Sequence, residues 1–154
     1  MPFSQHRFNK AFFRKVNVQN IPTYMLVVAL ALFDESGRLL LQQRLRHKHH
    51  GGMWEFPGGK VESREKPRVA LVREIAEELA LTLDPQQLEP SFFAEEGTDP
   101  AVVLNLYTSR QPVGEPNGRE GQEWGWFDPA EAEGLPLAPM DRKLLSRFAG
   151  FDAR

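Results

Sequence analysis

Glu74, Glu77 and Glu78 fall at i, i+3 and i+4 within Arg73-Glu74-Ile75-Ala76-Glu77-Glu78. At about 3.6 residues per helical turn this spacing gathers three carboxylates on one face, while Leu71, Val72, Ile75 and Leu79 line the opposite side. Such clustering costs electrostatic repulsion. A bound divalent cation that takes oxygen ligands, as Mg²⁺ does, removes that cost. A solvated acidic face on a surface helix is the alternative reading of the glutamates taken alone.

The flanking residues decide between the two. Glu55-Phe56-Pro57-Gly58-Gly59-Lys60 supplies a tight glycine turn, and five residues separate Gly59 from Glu65, seven separate Glu65 from Arg73, and Leu81 closes the pattern. This pattern resembles the Nudix box, the signature of hydrolases acting on nucleoside diphosphates linked to another moiety. With ordinary residue frequencies, eight such matches arise by chance on the order of once in 10⁹ windows. One position departs from the family pattern. Ala80 stands where the family usually has glycine, and a left-handed helix end costs alanine roughly 1 kcal/mol.

The resemblance covers roughly residues 23 to 148 and is closest to the MutT type, the nucleoside triphosphate pyrophosphohydrolases. It implies a Nudix fold, an α/β architecture with a mixed β-sheet between α-helices. It further implies that the Gly58 carbonyl, Glu74, Glu77 and Glu78 ligate divalent metal, Mg²⁺ or Mn²⁺, with Glu120 joining from a later loop. Arg73 resembles the arginine that holds the adjoining glutamate, and a simple i, i+4 ion pair with Glu77 is the bland alternative. Either Glu74 or Glu120 then serves as general base, and the sequence does not separate them. Metal-held glutamates suit the chemistry, since bound cations neutralise phosphate oxygens and make hydroxide available near neutral pH. Attack at the β-phosphorus, as in this subgroup, gives nucleoside monophosphate and pyrophosphate.

Substrate contacts are expected from basic residues. Arg44, at the end of a strand, and Lys60, just past the glycine turn, suit the phosphates, with Lys48, His49 and His50 within reach on a loop. The clustered histidines are read as solvated rather than as a zinc site. Trp54, Tyr107, Trp124 and Trp126 are read as core or rim residues. Asp141, in Pro139-Met140-Asp141-Arg142, resembles the MutT-type side chain that reads the nucleobase edge; capping of the last helix is its alternative, and another alignment puts Pro139 in that place. An ionised Asp only accepts hydrogen bonds, so it would favour the N7–H of 8-oxoguanine over the N7 acceptor of guanine. The expected substrates are therefore (deoxy)nucleoside triphosphates, oxidised ones such as 8-oxo-dGTP included. The alternatives are an ADP-ribose-type substrate, for which Pro100 is a weak marker, and an idle nucleotide-binding domain, which usually loses box glutamates retained here.

These residues need a scaffold. Tyr24 to Phe33 reads as a buried strand, with Arg38 to Gln43 returning as a hairpin. Pro67 to Leu79 forms the box helix, with Pro67 in its first turn and Glu65 near its positive end. Strands are expected at 88–95, 101–109 and 123–127, with a short helix from Asp128 and a last one over 141–148. The chain has 154 residues, 41% of them hydrophobic and 26% charged, which suits one domain over 23–154. Residues 1–22 form a basic aromatic extension containing Phe3, Phe8, Phe12 and Phe13, which is expected to pack on the domain or a second subunit. That extension carries four basic and no acidic side chains, leaving 15 basic against 21 acidic for the rest, so charge gives no sign of a stable nucleic-acid partner. The absence of cysteine excludes disulfides and thiol chemistry and suits a cytoplasmic setting. No apolar run approaches membrane-spanning length. The expected partner is a small nucleotide, bound by a monomer or homodimer.

Overall fold

A computed structural model describes residues 24–149. Its first sheet contains β1 (Tyr24–Leu32), β4 (Gly58–Lys60), β5 (Glu89–Glu96) and β6 (Ala101–Ser109), in the order β4-β1-β6-β5. β1 and β6 run parallel from Tyr24 opposite Ala101 to Leu32 opposite Ser109, whereas both edge strands are antiparallel to their neighbours. A second, antiparallel sheet has the order β3-β2-β7, from Trp54–Glu55, Leu39–Gln43 and Trp124–Phe127. The expected hairpin is thereby corrected. The strand pairing between β1 and β2 is limited to a bridge between Phe33 and Leu39, and β2 leaves to centre the second sheet, where it pairs with β7 from Leu39 to Gln42.

Alternation along β1 explains the layering. Val28, Leu30 and Leu32 face a core completed by Ala70, Leu71, Ile75 and Leu79 of helix α1 (Pro67–Leu79). Ala29 and Ala31 face the other side, toward Ala132 of α2 (Pro129–Glu133) and Leu144 and Leu145 of α3 (Pro139–Ala149). Successive strand residues point to opposite faces, so one apolar strand seals two cores. Burying each large aliphatic side chain is worth about 1.5–3 kcal/mol before chain entropy is counted. The result is the expected mixed sheet between helices.

Local chemistry sets the bounds of α1. Pro67 occupies its first turn, where a missing N–H is harmless, and Ala80 ends it in the left-handed region at φ 57°, donating its N–H to Ala76. Alanine therefore takes the left-handed conformation that glycine adopts without a Cβ penalty. Glu65 immediately precedes the N-cap Lys66, and its carboxylate accepts from the Glu62 N–H and grips Arg73. The aromatic extension lies outside the described residues. Among the described residues no helix is long and apolar enough to cross a membrane.

Candidate active site

Two glycines bring α1 against the sheet. A Cβ on Gly58 would stand 2.0 Å from the Val28 carbonyl oxygen, and one on Gly59 would stand 2.3 Å from Cδ of Glu74. At 58 only glycine fits against the β1 backbone, whereas at 59 a Cβ would displace the Glu74 carboxyl, which places the Gly58-Gly59 strand directly beside the first box glutamate.

Arg73 organises that glutamate. Its Nε and Nη2 donate to the two oxygens of Glu65 at 2.8 and 2.9 Å, while Nη1 donates to Glu74 at 2.8 Å and to Glu77 at 3.3 Å. Nη2 also reaches the Lys60 carbonyl at 3.1 Å, fastening helix to strand. Both readings of Arg73 are thus realised in one guanidinium, the hold on Glu74 and the i, i+4 pair with Glu77. The fork-shaped contact with Arg73 and the Glu62 N–H hold Glu65 down to about 2. Burial raises Glu74 despite Arg73, and repulsion from Glu77 and Glu120 adds to the rise.

Glu78 faces a different environment. It is only 9% exposed, and its Oε2 accepts from Gln42 Nε2 at 2.9 Å. Desolvation pushes it up to about 8, and Glu55, Glu74 and Glu120 push in the same direction. Gln42 also donates to Glu55 at 3.3 Å, and Gln122 Nε2 donates to the Glu78 carbonyl at 3.0 Å. Gln122 Oε1 in turn accepts the Glu120 N–H, so the 114–122 loop is clipped to the end of α1. Glu120 is exposed, faces Glu74 and Glu78 electrostatically, and has Lys48 Nζ at 3.7 Å. Glu74, Glu78 and Glu120 repel one another with only Arg73 and Lys48 as nearby cations among the described residues, and such a set suits a hard divalent ion. The chemistry of this donor set therefore fits a divalent cation.

The remaining expected residues are distributed around this centre. Lys60 is exposed at the end of β4. Arg44 is already engaged, donating to Glu55 at 2.5 Å and to the His49 carbonyl at 2.6 Å. Glu55 is raised by burial even so. Asp141 is 4% exposed and accepts the Phe56 N–H at 2.8 Å, with burial and then Glu55 raising it to about 7. Because α3 begins at Pro139, Asp141 is inside the first turn and its side chain bonds another segment; the helix-cap reading is corrected. Tyr107 is core, with the Arg68 guanidinium 5.5 Å over its ring, and Trp54, Trp124 and Trp126 are half-buried.

Sequence reasoning missed Gln42, Gln122 and Glu55 as partners of the site. Only their long-range pairing marks them, and the one available signal was the position of Glu55 beside the glycine turn. It also missed that Glu96 joins His49 and His50, whose ligating atoms with its own all lie within 4.8 Å of one another.

The NUDIX domain model matches residues 23–148. The chain is 36% identical over 131 residues to the CTP pyrophosphohydrolase of Escherichia coli K12, covering 84% of this chain and 95% of that protein. It is 35% identical over 122 residues to the 8-oxo-dGTP diphosphatase of Haemophilus influenzae, covering 79% and 89%. A solved MutT structure, from work on Aliivibrio salmonicida and Vibrio cholerae, is 28% identical and superposes with a TM-score of 0.70, covering 81% of this chain and 96% of its own.

Proposed function

This chain belongs to the Nudix family, and from that premise we propose that it hydrolyses (deoxy)nucleoside triphosphates, oxidised ones included, to nucleoside monophosphate and pyrophosphate. The observation that carries the reading is the Arg73 hub, which holds Glu74 against Gly59 while Glu78 is held separately by Gln42. The CTP pyrophosphohydrolase and 8-oxo-dGTP diphosphatase relatives support the substrate class.

In this reading the Gly58 carbonyl, Glu74, Glu77, Glu78 and Glu120 hold Mg²⁺ or Mn²⁺. The cation supplies charge neutralisation for the phosphates and water of lowered pKa. Arg73 fixes the rotamer of Glu74, so that the carboxylate is preorganised rather than recruited during the reaction. Glu74 or Glu120 accepts the proton of the attacking water, and the crowded carboxylates titrate as one set. Lys60 meets the phosphates from the end of β4. Arg44 neutralises Glu55 and steadies the 46–52 loop, and Asp141 reads the base from α3. The partner is the nucleotide alone, the domain spans 23–154 with 1–22 as an extension, and a monomer or homodimer works in the cytoplasm.

Hydrolysis of dGTP in ¹⁸O-labelled water with Mg²⁺ tests the bond broken. Label in pyrophosphate is expected, since water attacks the β-phosphorus; label in the monophosphate would place attack at the α-phosphorus. Glu78→Gln should abolish turnover together with the Mg²⁺-induced rise in Tm, whereas an intact shift would remove Glu78 from the ligand set.

A further inference from the structure

His49 and His50 lie on the loop after β2 in the second sheet, and Glu96 ends β5 in the first. The three supply one ligating atom each, all within 4.8 Å of one another. His50 Nε2 stands 3.7 Å from Glu96 Oε1, and the two imidazole centroids are 3.8 Å apart at 46°. In a tetrahedral zinc site with bonds of about 2.0–2.1 Å, neighbouring ligand atoms stand about 3.4 Å apart. Small side-chain rotations close the group onto one ion.

The backbone holds the trio in place. Gly52 donates to the Arg44 carbonyl at 2.9 Å, Met53 to His50 at 3.1 Å, and Gly51 to Lys48 at 2.9 Å. Arg44 Nε grips the His49 carbonyl, and His50 itself sits at φ 56°, a conformation uncommon for a residue with a Cβ. We propose that His49, His50 and Glu96 form a second metal site, separate from the box glutamates, for a zinc-class ion that fastens the 46–52 loop to β5. Two imidazole nitrogens and one carboxylate are a borderline donor set that zinc accepts and Mg²⁺ does not prefer. Three protein ligands leave a fourth position open at the rim. The same loop carries Lys48 beside Glu120, so the clamp also fixes the loop next to the candidate active site.

Calorimetric titration of the full chain with Zn²⁺ in saturating Mg²⁺ tests this. One equivalent should bind wild type and Glu78→Gln alike, and His47→Ala should keep it. Glu96→Gln and His50→Asn should weaken it at least tenfold; asparagine is chosen because it tolerates the left-handed backbone. Equal affinity in those two variants, or loss in Glu78→Gln, would overturn the site. Imidazole proton resonances of the wild type give an answer that needs no variant: Zn²⁺ should shift those of His49 and His50, and shifts confined to other histidines would overturn it.

Discussion

Asp141 shows how a single buried carboxyl fixes a distant segment. One oxygen accepts the Phe56 N–H, which fixes the segment leading into the Gly58-Gly59 turn, and the group as a whole is nearly removed from water. Asp141→Asn keeps an acceptor for Phe56 and removes the buried charge, so it should fold with a Tm at or above wild type at pH 8. Asp141→Ala leaves a buried N–H without its partner and should lose about 1–3 kcal/mol, read from chemical denaturation. If the ionised form of Asp141 reads the base, a preference for 8-oxo-dGTP over dGTP should appear above pH 7, where the raised carboxyl has lost its proton. That kcat/KM ratio should shrink about tenfold in Asp141→Ala, equivalent to ~1.4 kcal/mol, and an unchanged ratio would leave the residue a purely structural one.

Among the elements, α1 and the strands β2 and β7 were legible in the sequence, whereas the pairing that makes the second sheet was not. Period, proline and glutamate spacing all mark α1, and its observed bounds agree with those expected from them. β3 and β4 are two and three residues long, too short for any alternation to register, and β4 lies against β1 because Gly58 permits the close approach. The placement of β2 depends on its pairing with β7, some 80 positions later, which no local pattern encodes. The carboxylates of the site were legible for the same reason as α1, whereas their Gln42 and Gln122 partners arrive only through that distant pairing. Two substitutions test the helix boundaries. Ala80→Gly should stabilise the fold by roughly 0.5–1 kcal/mol by relieving the left-handed alanine. Gly59→Ala should lower kcat by at least tenfold while α1 stays helical by circular dichroism, because its Cβ would displace the Glu74 carboxyl from its place beside Arg73; wild-type turnover would show that the turn yields instead.

Over the whole molecule, the displaced carboxyls make stability depend on pH in a direction opposite to that of ordinary ion pairs. Glu78 at about 8 and Asp141 at about 7 hold protons in the folded state that the unfolded chain releases near pH 4. Their contribution is complete below pH 4 and is lost as pH rises toward 7–8. Glu65, held at about 2, acts the other way, contributing above its unfolded value and failing as pH falls through about 2. Between pH 5 and 8 the metal-free protein should therefore lose Tm, Asp141→Asn should flatten that slope, and added Mg²⁺ should raise Tm more at pH 8 than at pH 6, since a ligand must shed its proton. A Tm that climbs through this interval without metal would contradict the assignment.

Gln42 belongs to the second sheet, yet its amide is bonded to Glu78 on the helix packed against the first. The two layers thus share a joint at the reacting centre, and a slip of about 1 Å between them is enough to spoil alignment there. Such a joint behaves as a thermal fuse. Because alignment there is lost before the apolar cores, which span both sheets, come apart, turnover should fade below the temperature at which the far-ultraviolet signal collapses. Cooling the sample from that interval should restore full turnover, because nothing has yet unfolded.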